Sequence, residues 1–255
     1  MKKIVKNKVV RRSFLFATGV ATGLIAFAII APYIYREYKE GRRKSNKVEK
    51  APKLDSRYPF GIDISEYQGI IDWVDVKDSY HNVEYVLMRS SMGVDGKDKF
   101  FERNWQYTKQ LGFIRGAYHF YRPNEDADVQ FKNFVQTVAL EKGDLFPVLD
   151  VESPSRKGNE HLVAGVNRWL ELAEKHFGVT PILYTYKDFY NERLSGKVKK
   201  YPIWIAAYTE GTNLSMIDHV FHQYSDSERI SGIRTKVDAN RFKDSTKTIQ
   251  EYCFK

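Results

Sequence analysis

A single cysteine, Cys253, third from the end, is all the thiol chemistry this 255-residue chain carries. No intrachain disulfide can form, so the fold rests on its core and an oxidising compartment is neither required nor excluded. The six histidines contain no His-Glu-x-x-His pattern. No Gly-x-Ser-x-Gly elbow occurs, and no glycine-rich phosphate loop follows the first strand candidate. Zinc proteolysis, serine-elbow hydrolysis and nucleotide chemistry therefore lack their usual carriers. His219 and His222, on one strand candidate, would direct their rings to opposite faces, and Cys253 in a terminal tail is a poor nucleophile. The body also lacks internal repeats and low-complexity tracts.

Net charge is missing from most of the chain as well. The formal charge is +9, but residues 1–50 hold 13 Lys+Arg against 3 Asp+Glu, and the other 205 residues hold 28 against 29. A body without positive charge argues against a nucleic-acid partner, and the basic end suits a membrane surface. Residues 1–13 form that basic segment. No charge occurs from Ser13 to Tyr35. A helix rising ~1.5 Å per residue needs roughly 20 residues to cross a bilayer core, so residues 14–35 are expected to be a transmembrane signal anchor, with Tyr33 and Tyr35 at its interface. Cleavage after Ala26-Phe27-Ala28 is the alternative, but it would leave an apolar IIAPYIY terminus. Arg11-Arg12-Ser13-Phe14-Leu15 also resembles a twin-arginine signal, although nothing else calls for folded export. Six Lys/Arg precede the span and seven follow it before residue 51, so flanking charge does not set orientation. Residues 36–57 read as a charged flexible linker, and residues 58–255 as the folded domain.

Within the body, short apolar runs alternate with helical patterns. Strands are expected over 59–65, 84–90, 114–121, 145–151, 181–186 and 202–207, with weaker candidates over 220–224 and 236–239. Helices are expected over 101–111, 127–140 and 161–177, the last stopping at Gly178 with Pro181 beyond. Such alternation is the signature of a parallel sheet covered by helices. The fold class that follows is α/β: an irregular TIM-like β/α barrel of eight strands, its last three without crossover helices, preceded by one N-terminal transmembrane helix.

Chemistry in such barrels projects from the C-terminal ends of strands. Four carboxylates occupy that position in the pattern: Asp63 on the first strand, Asp150 and Glu152 on the fourth, and Asp238 on the last. Asp150 and Glu152 are two residues apart, which on a strand puts both on one side, roughly 6.6 Å apart along it. Desolvation and mutual repulsion raise at least one pKa of such a pair, and glycosidic cleavage needs that division: one protonated acid and one anion. Structural readings compete. Asp150 and Glu152 could cap a helix or pair with Arg156, Asp63 could cap a turn with Ser65, and Asp238 could pair with Arg241. Gln68, Tyr118, His119, Trp204, Gln223 and Tyr224 fall near the acids in the same pattern. The 17 tyrosines suit a carbohydrate cleft, but they also fill strands and cores.

Several of these runs, in this order, resemble the family 25 glycoside hydrolases, the Chalaropsis-type lysozymes or N-acetylmuramidases. They are GIDISEYQGIIDW (61–73), FFERNWQYTKQLGFIRGAYHFYRP (100–123), FPVLDVE (146–152), PILYTY (181–186), YPIWIAAY (201–208), HQYSDSERISG (222–232) and VDANRF (237–242). The resemblance spans about residues 58–243. It implies an eight-stranded irregular barrel, no metal or organic cofactor, and hydrolysis of the β-1,4 bond between N-acetylmuramic acid and N-acetylglucosamine in peptidoglycan. It further implies Glu152 as proton donor, Asp150 as the acid beside it that either orients or stabilises the substrate's acetamido group or acts as the partner carboxylate, and Asp63 and Asp238 as further acids of the cleft. Tyr118, His119, Tyr184, Trp204 and Gln223 are expected to bind substrate. The sequence departs from the family's pattern at Arg89-Ser90-Ser91-Met92-Gly93, where a Lys-Ala-Thr-Glu-Gly-like run is common, and at Phe221-His222-Gln223, where Trp usually precedes the Gln. An anchored enzyme of this kind would sit in the cell membrane with its barrel on the cell-wall side, or be secreted or periplasmic if the signal is cleaved. A non-catalytic peptidoglycan-binding module on the same barrel and a chitin-directed glycosidase are the rival readings. The latter usually carries a longer acidic run on its fourth strand, where this chain has Pro147-Val148-Leu149.

Overall fold

The computed structural model describes residues 58–198, 200–209, 213–244 and 246–255. The expected membrane span (14–35), the basic segment and the linker lie outside them. Among the described residues no helix is long and apolar enough to cross a membrane.

Nine strands form one sheet: β1 (Phe60–Ile64), β2 (Tyr85–Met92), β3 (Gly96–Lys97), β4 (Ile114–Phe120), β5 (Val148–Asp150), β6 (Ile182–Tyr186), β7 (Ile203–Ala206), β8 (Phe221–Glu228) and β9 (Val237–Phe242). The order β1-β9-β8-β7-β6-β5-β4-β2-β3, with β1 also paired to β2, closes eight strands into a barrel and leaves β3 as a two-residue flap on β2. Pairing is parallel from β1 through β2, β4, β5, β6 and β7 to β8. It turns antiparallel where β9 joins β8 and β1. All eight expected strands are present, but the last is reversed. A short connection from β8 cannot carry the chain back to the other end of the barrel, which a parallel strand would need.

Helices α1 (Trp73–Lys77), α2 (Phe101–Gln110), α3 (Ala127–Thr137) and α4 (Asn159–Phe177) are joined by short helical turns at Lys187–Phe189 and Tyr190–Leu194. Asp126 starts α3 by accepting the Val129 amide at 2.9 Å. Gly178 ends α4 in the left-handed conformation (φ 70°), returning its amide to Glu174. Between β7 and β9 no helix is described, as the fading helical pattern after residue 202 implies. The sequence did not disclose α1 or β3; five and two residues are too few for a period to register.

Alternation along the strands sorts side chains into two cores. Outward-facing Val86, Met88, Ala117, Leu149, Leu183, Ile203 and Ile205 pack with Trp105, Phe131, Phe134, Val166, Trp169 and Leu170 of the helices. Inward-facing Tyr85, Leu87, Tyr118, Val148, Ile182, Tyr184, Trp204, Phe221 and Phe242 fill the barrel. Burial on both faces explains why these strands read as continuous apolar runs. Ile249, Tyr252 and Cys253 join the inner core, and Cys253 bridges to Leu145. The thiol is buried there and pushed up to about 11, so it is packing.

Two inward positions, Gly61 and Gly116, carry no side chain. A Cβ on Gly61 would lie 2.3 Å from the Tyr85 ring, which is itself fully buried and cannot swing away. Tyr85 occupies the space beneath Asp63 that any larger residue at 61 would need. Gly61→Ala is expected to destabilise the fold by about 1–3 kcal/mol through overpacking, read as a lower urea midpoint at unchanged slope.

Candidate active site

Asp63 is the centre of a buried polar network inside the barrel. One of its oxygens, Oδ2, accepts two amide donors, Gln223 Nε2 at 2.7 Å and Asn240 Nδ2 at 2.7 Å. Each amide is itself oriented by a ring. The Trp204 indole donates to Asn240 Oδ1 at 2.8 Å. The hydroxyls of Tyr184 and Tyr208 donate to Gln223 Oε1 at 2.8 and 2.6 Å. With their oxygens taken, both amides must present nitrogen to Asp63.

Asp238 stands directly across the β1–β9 pair from Asp63. Because β9 runs antiparallel, the beginning of that strand, not its end, lies beside the C-terminal ends of the others. The site therefore collects Asp238 by a route opposite to the one the sequence pattern assumed. Burial raises the Asp63 pKa well above the usual carboxylate range, and the Asp238 charge adds to the rise, against the two amide donors. Burial likewise pushes Asp238 up to about 6. Two carboxyls facing each other in a shielded place are most stable sharing one proton.

Asp150 ends β5, and Glu152 lies two residues on, past the strand's last hydrogen bond. Asp150 is buried, and its Oδ1 has no hydrogen-bond partner among the described residues. Burial raises its pKa well above normal, helped by the charges of Glu152 and Asp63 and opposed by Arg89. Glu152 is half-buried, and burial raises its pKa from 4.5. The Tyr184 hydroxyl opposes that shift, but its one proton is directed at Gln223, so burial prevails. Glu152 also lines an open cleft of about 450 Å³ with Tyr184, Tyr186, Lys187, Asp188 and Tyr208. A raised carboxyl at the edge of a cleft, with deeper carboxyls behind it, has the means to deliver a proton and to stabilise a developing positive charge. Among the described residues no group of three or more His, Cys, Asp or Glu side chains could hold a metal ion.

The family model for glycosyl hydrolases family 25 matches residues 62–233. The chain belongs to this family. Among similar proteins is the uncharacterized protein YegX of Escherichia coli (strain K12), 36% identical over 197 residues, covering 75% of this chain and 72% of that one. An autolytic lysozyme of Clostridium acetobutylicum is 32% identical over 72% of this chain and 56% of its own. A family 25 glycosyl hydrolase structure from Bacillus anthracis superposes with a TM-score of 0.71 at 26% identity, covering 82% of this chain and all of that one (100%). The protein is thus a glycoside hydrolase of the lysozyme type.

Around the family 25 acids, the residues expected to bind substrate divide. Tyr118 and Tyr184 face the barrel interior with the acids. Trp204 and Gln223 are buried beneath the cleft and orient Asp63. His119 does not join them. It follows Tyr118 on the same strand, so alternation turns it outward. There it is fully buried, with Nδ1 2.8 Å from Ser91 Oγ, Nε2 3.2 Å from Gln130 Oε1, and its ring stacked 5.8 Å from Trp169. Gln68 caps the turn at Glu66–Gln68 with Ser65, and Tyr224 packs against the outer core. His219 and His222 are neighbours, their rings 6.0 Å apart, because His219 precedes β8 and escapes its alternation. Pattern reasoning missed Asn240 and Tyr208. Asn240 stands two residues after Asp238 in VDANRF, and strand alternation alone could have placed it on the same face.

Asp238 fixes a pH signature. Its folded pKa, about 6, lies above its ordinary 3.8, so the folded state holds a proton that the unfolded chain releases. Stability from this group is full below about pH 4 and is lost as pH rises towards 6. Urea unfolding of Asp238→Asn at pH 4, 5 and 6 should show a flatter dependence than wild type; an unchanged dependence would contradict the assignment.

Proposed function

We propose that this family 25 enzyme is an N-acetylmuramidase that hydrolyses the β-1,4 bond between N-acetylmuramic acid and N-acetylglucosamine in peptidoglycan. The observation that carries the reading is the pairing of half-buried Glu152, raised by burial and lining the cleft, with the deeper acid Asp150. Kinship with an autolytic lysozyme supports the substrate class.

Glu152 acts first as general acid, protonating the leaving oxygen, and then as general base towards water. Asp150 stabilises the positive charge that develops on the sugar. Asp63 and Asp238 hold the substrate, and their shared proton limits the negative charge that would otherwise push Asp150 up further. Tyr186 and Tyr208, each about half exposed, offer flat faces to sugar rings along the cleft. Since Asp150 and Glu152 interact, the pH–rate profile belongs to the pair.

Residues 14–35 would keep the enzyme in the cell membrane as a single-pass protein, with the barrel on the wall side. Such tethering favours local cutting of nearby strands.

The full chain is expected to release fragments from purified peptidoglycan that carry reducing-end N-acetylmuramic acid by mass spectrometry. Glu152→Gln should lower kcat by about 10²–10⁴-fold. Activity should stay with the membrane pellet after an alkaline wash. Reducing-end N-acetylglucosamine would overturn the assigned bond, and binding without release would overturn catalysis.

A further inference from the structure

A second cavity, of about 220 Å³, opens between the loop after β4 and the loop after β5, lined in part by Arg122, Asn124, Glu125, Ser153 and Arg156. Asn124 makes it a built feature. Its Oδ1 accepts the Arg156 amide at 2.9 Å and the Ser155 hydroxyl at 3.3 Å, tying the two loops together. The other wall is held by Gln130, which accepts the Arg122 amide at 2.9 Å and donates to the Arg122 carbonyl at 3.0 Å. Ser153 directly follows Glu152, so the cavity begins one residue, ~3.8 Å along the chain, from the proposed proton donor.

Its charge is opposite to that of the cleft. The cleft is lined by Glu152 and Asp188 against Lys187. The second cavity is lined by Arg122 and Arg156 against Glu125. Arg122 is linked to Glu125 at 3.3 Å, whose second oxygen is taken by the Val94 amide at 2.7 Å. The Arg156 guanidinium is exposed and makes no hydrogen bond or ion pair among the described residues. Neither Asp150 nor Glu152 engages it, so it is not the structural partner that its position in the sequence suggested.

We infer that this cavity is an anion subsite that takes a carboxylate carried on a side group of the glycan, with Arg156 and Arg122 as its donors. The inference rests on the lysozyme-type reading of the neighbouring cleft. A carboxylated sugar meeting a cleft lined by Glu152 and Asp188 is repelled unless its own charge is received elsewhere, and guanidinium groups are suited to carboxylates. Two sources share that chemistry: the free lactyl carboxylate of muramic acid, and the carboxylates of a peptide attached to it.

The test compares the full chain with Arg156→Gln, Arg122→Gln and Arg156→Lys. Substrates are peptidoglycan strands stripped of peptide and strands with peptide intact; calorimetry on the neutral N-acetylglucosamine tetramer is the control. Each Gln variant should raise KM on carboxylated strands about three- to tenfold, with the change carried by KM, and leave tetramer binding as in wild type. Arg156→Lys should recover most of the loss. A loss confined to stripped strands assigns the lactyl carboxylate, and one confined to intact strands assigns the peptide. No change on either strand, or equal weakening on the tetramer, overturns the inference. If wild type cleaves neither strand, the muramidase reading falls separately. Calorimetry with a muramic-acid-containing tetrasaccharide then decides: arginine-dependent binding upholds the subsite, and its absence overturns it.

Discussion

Two amide nitrogens converging on one oxygen of Asp63 set the geometry on which the cleft depends. Gln223 comes from β8 and Asn240 from β9, while Asp63 comes from β1. The contact therefore stitches the barrel shut at the same place where it fixes the acid. Trp204 of β7 and Tyr184 of β6 hold the amides from the far side, so five neighbouring strands share one buried polar network. Breaking one such bond leaves a buried group unpaired, at about 1–3 kcal/mol. The network is consequently an ordering device: it keeps the Asp63 carboxyl in one orientation, across the strand pair from Asp238.

The acids form a graded series. Asp63 and Asp150 are buried, while Asp238 and Glu152 lie half-buried nearer solvent. Burial raises all four, and neighbouring carboxylate charge adds to the rise at Asp63, Asp150 and Asp238. A single positive side chain, Arg89, opposes this for Asp150. It is itself held by Asp98 at 3.1 Å and Glu66 at 2.9 Å, so its position is fixed while most of its charge is already balanced. Such a cluster resists full ionisation more than separate carboxylates would. The group best placed to exchange its proton with a ligand is Glu152, which borders the cleft.

Much of this was legible in the sequence because the barrel strands are buried on both sides and announce themselves as apolar runs. The D-x-E spacing of Asp150 and Glu152 carried its chemistry in two characters. Asp238 was found for a reason the structure reverses, since pattern alone does not give strand direction. His119 falls near the acids in the pattern but not in the cleft, because Tyr118 and His119 are successive on one strand and must diverge. Asn240 and Tyr208 stayed hidden because amide and phenol side chains acquire a role only when strands distant in sequence meet: Asn240 is 177 residues from the carboxylate it orients.

Whether Glu152 holds its proton where an ordinary glutamate would lose it is the claim everything else serves. Carboxyl ¹³C NMR on the full chain, with the Glu152 resonance assigned by its loss in Glu152→Gln, measures that directly. The account predicts a midpoint above the ordinary 4.5, with Asp150 titrating in the same experiment as a coupled neighbour. A midpoint at or below 4.5 would mean that burial does not govern this carboxyl, and would contradict its assignment as the proton donor.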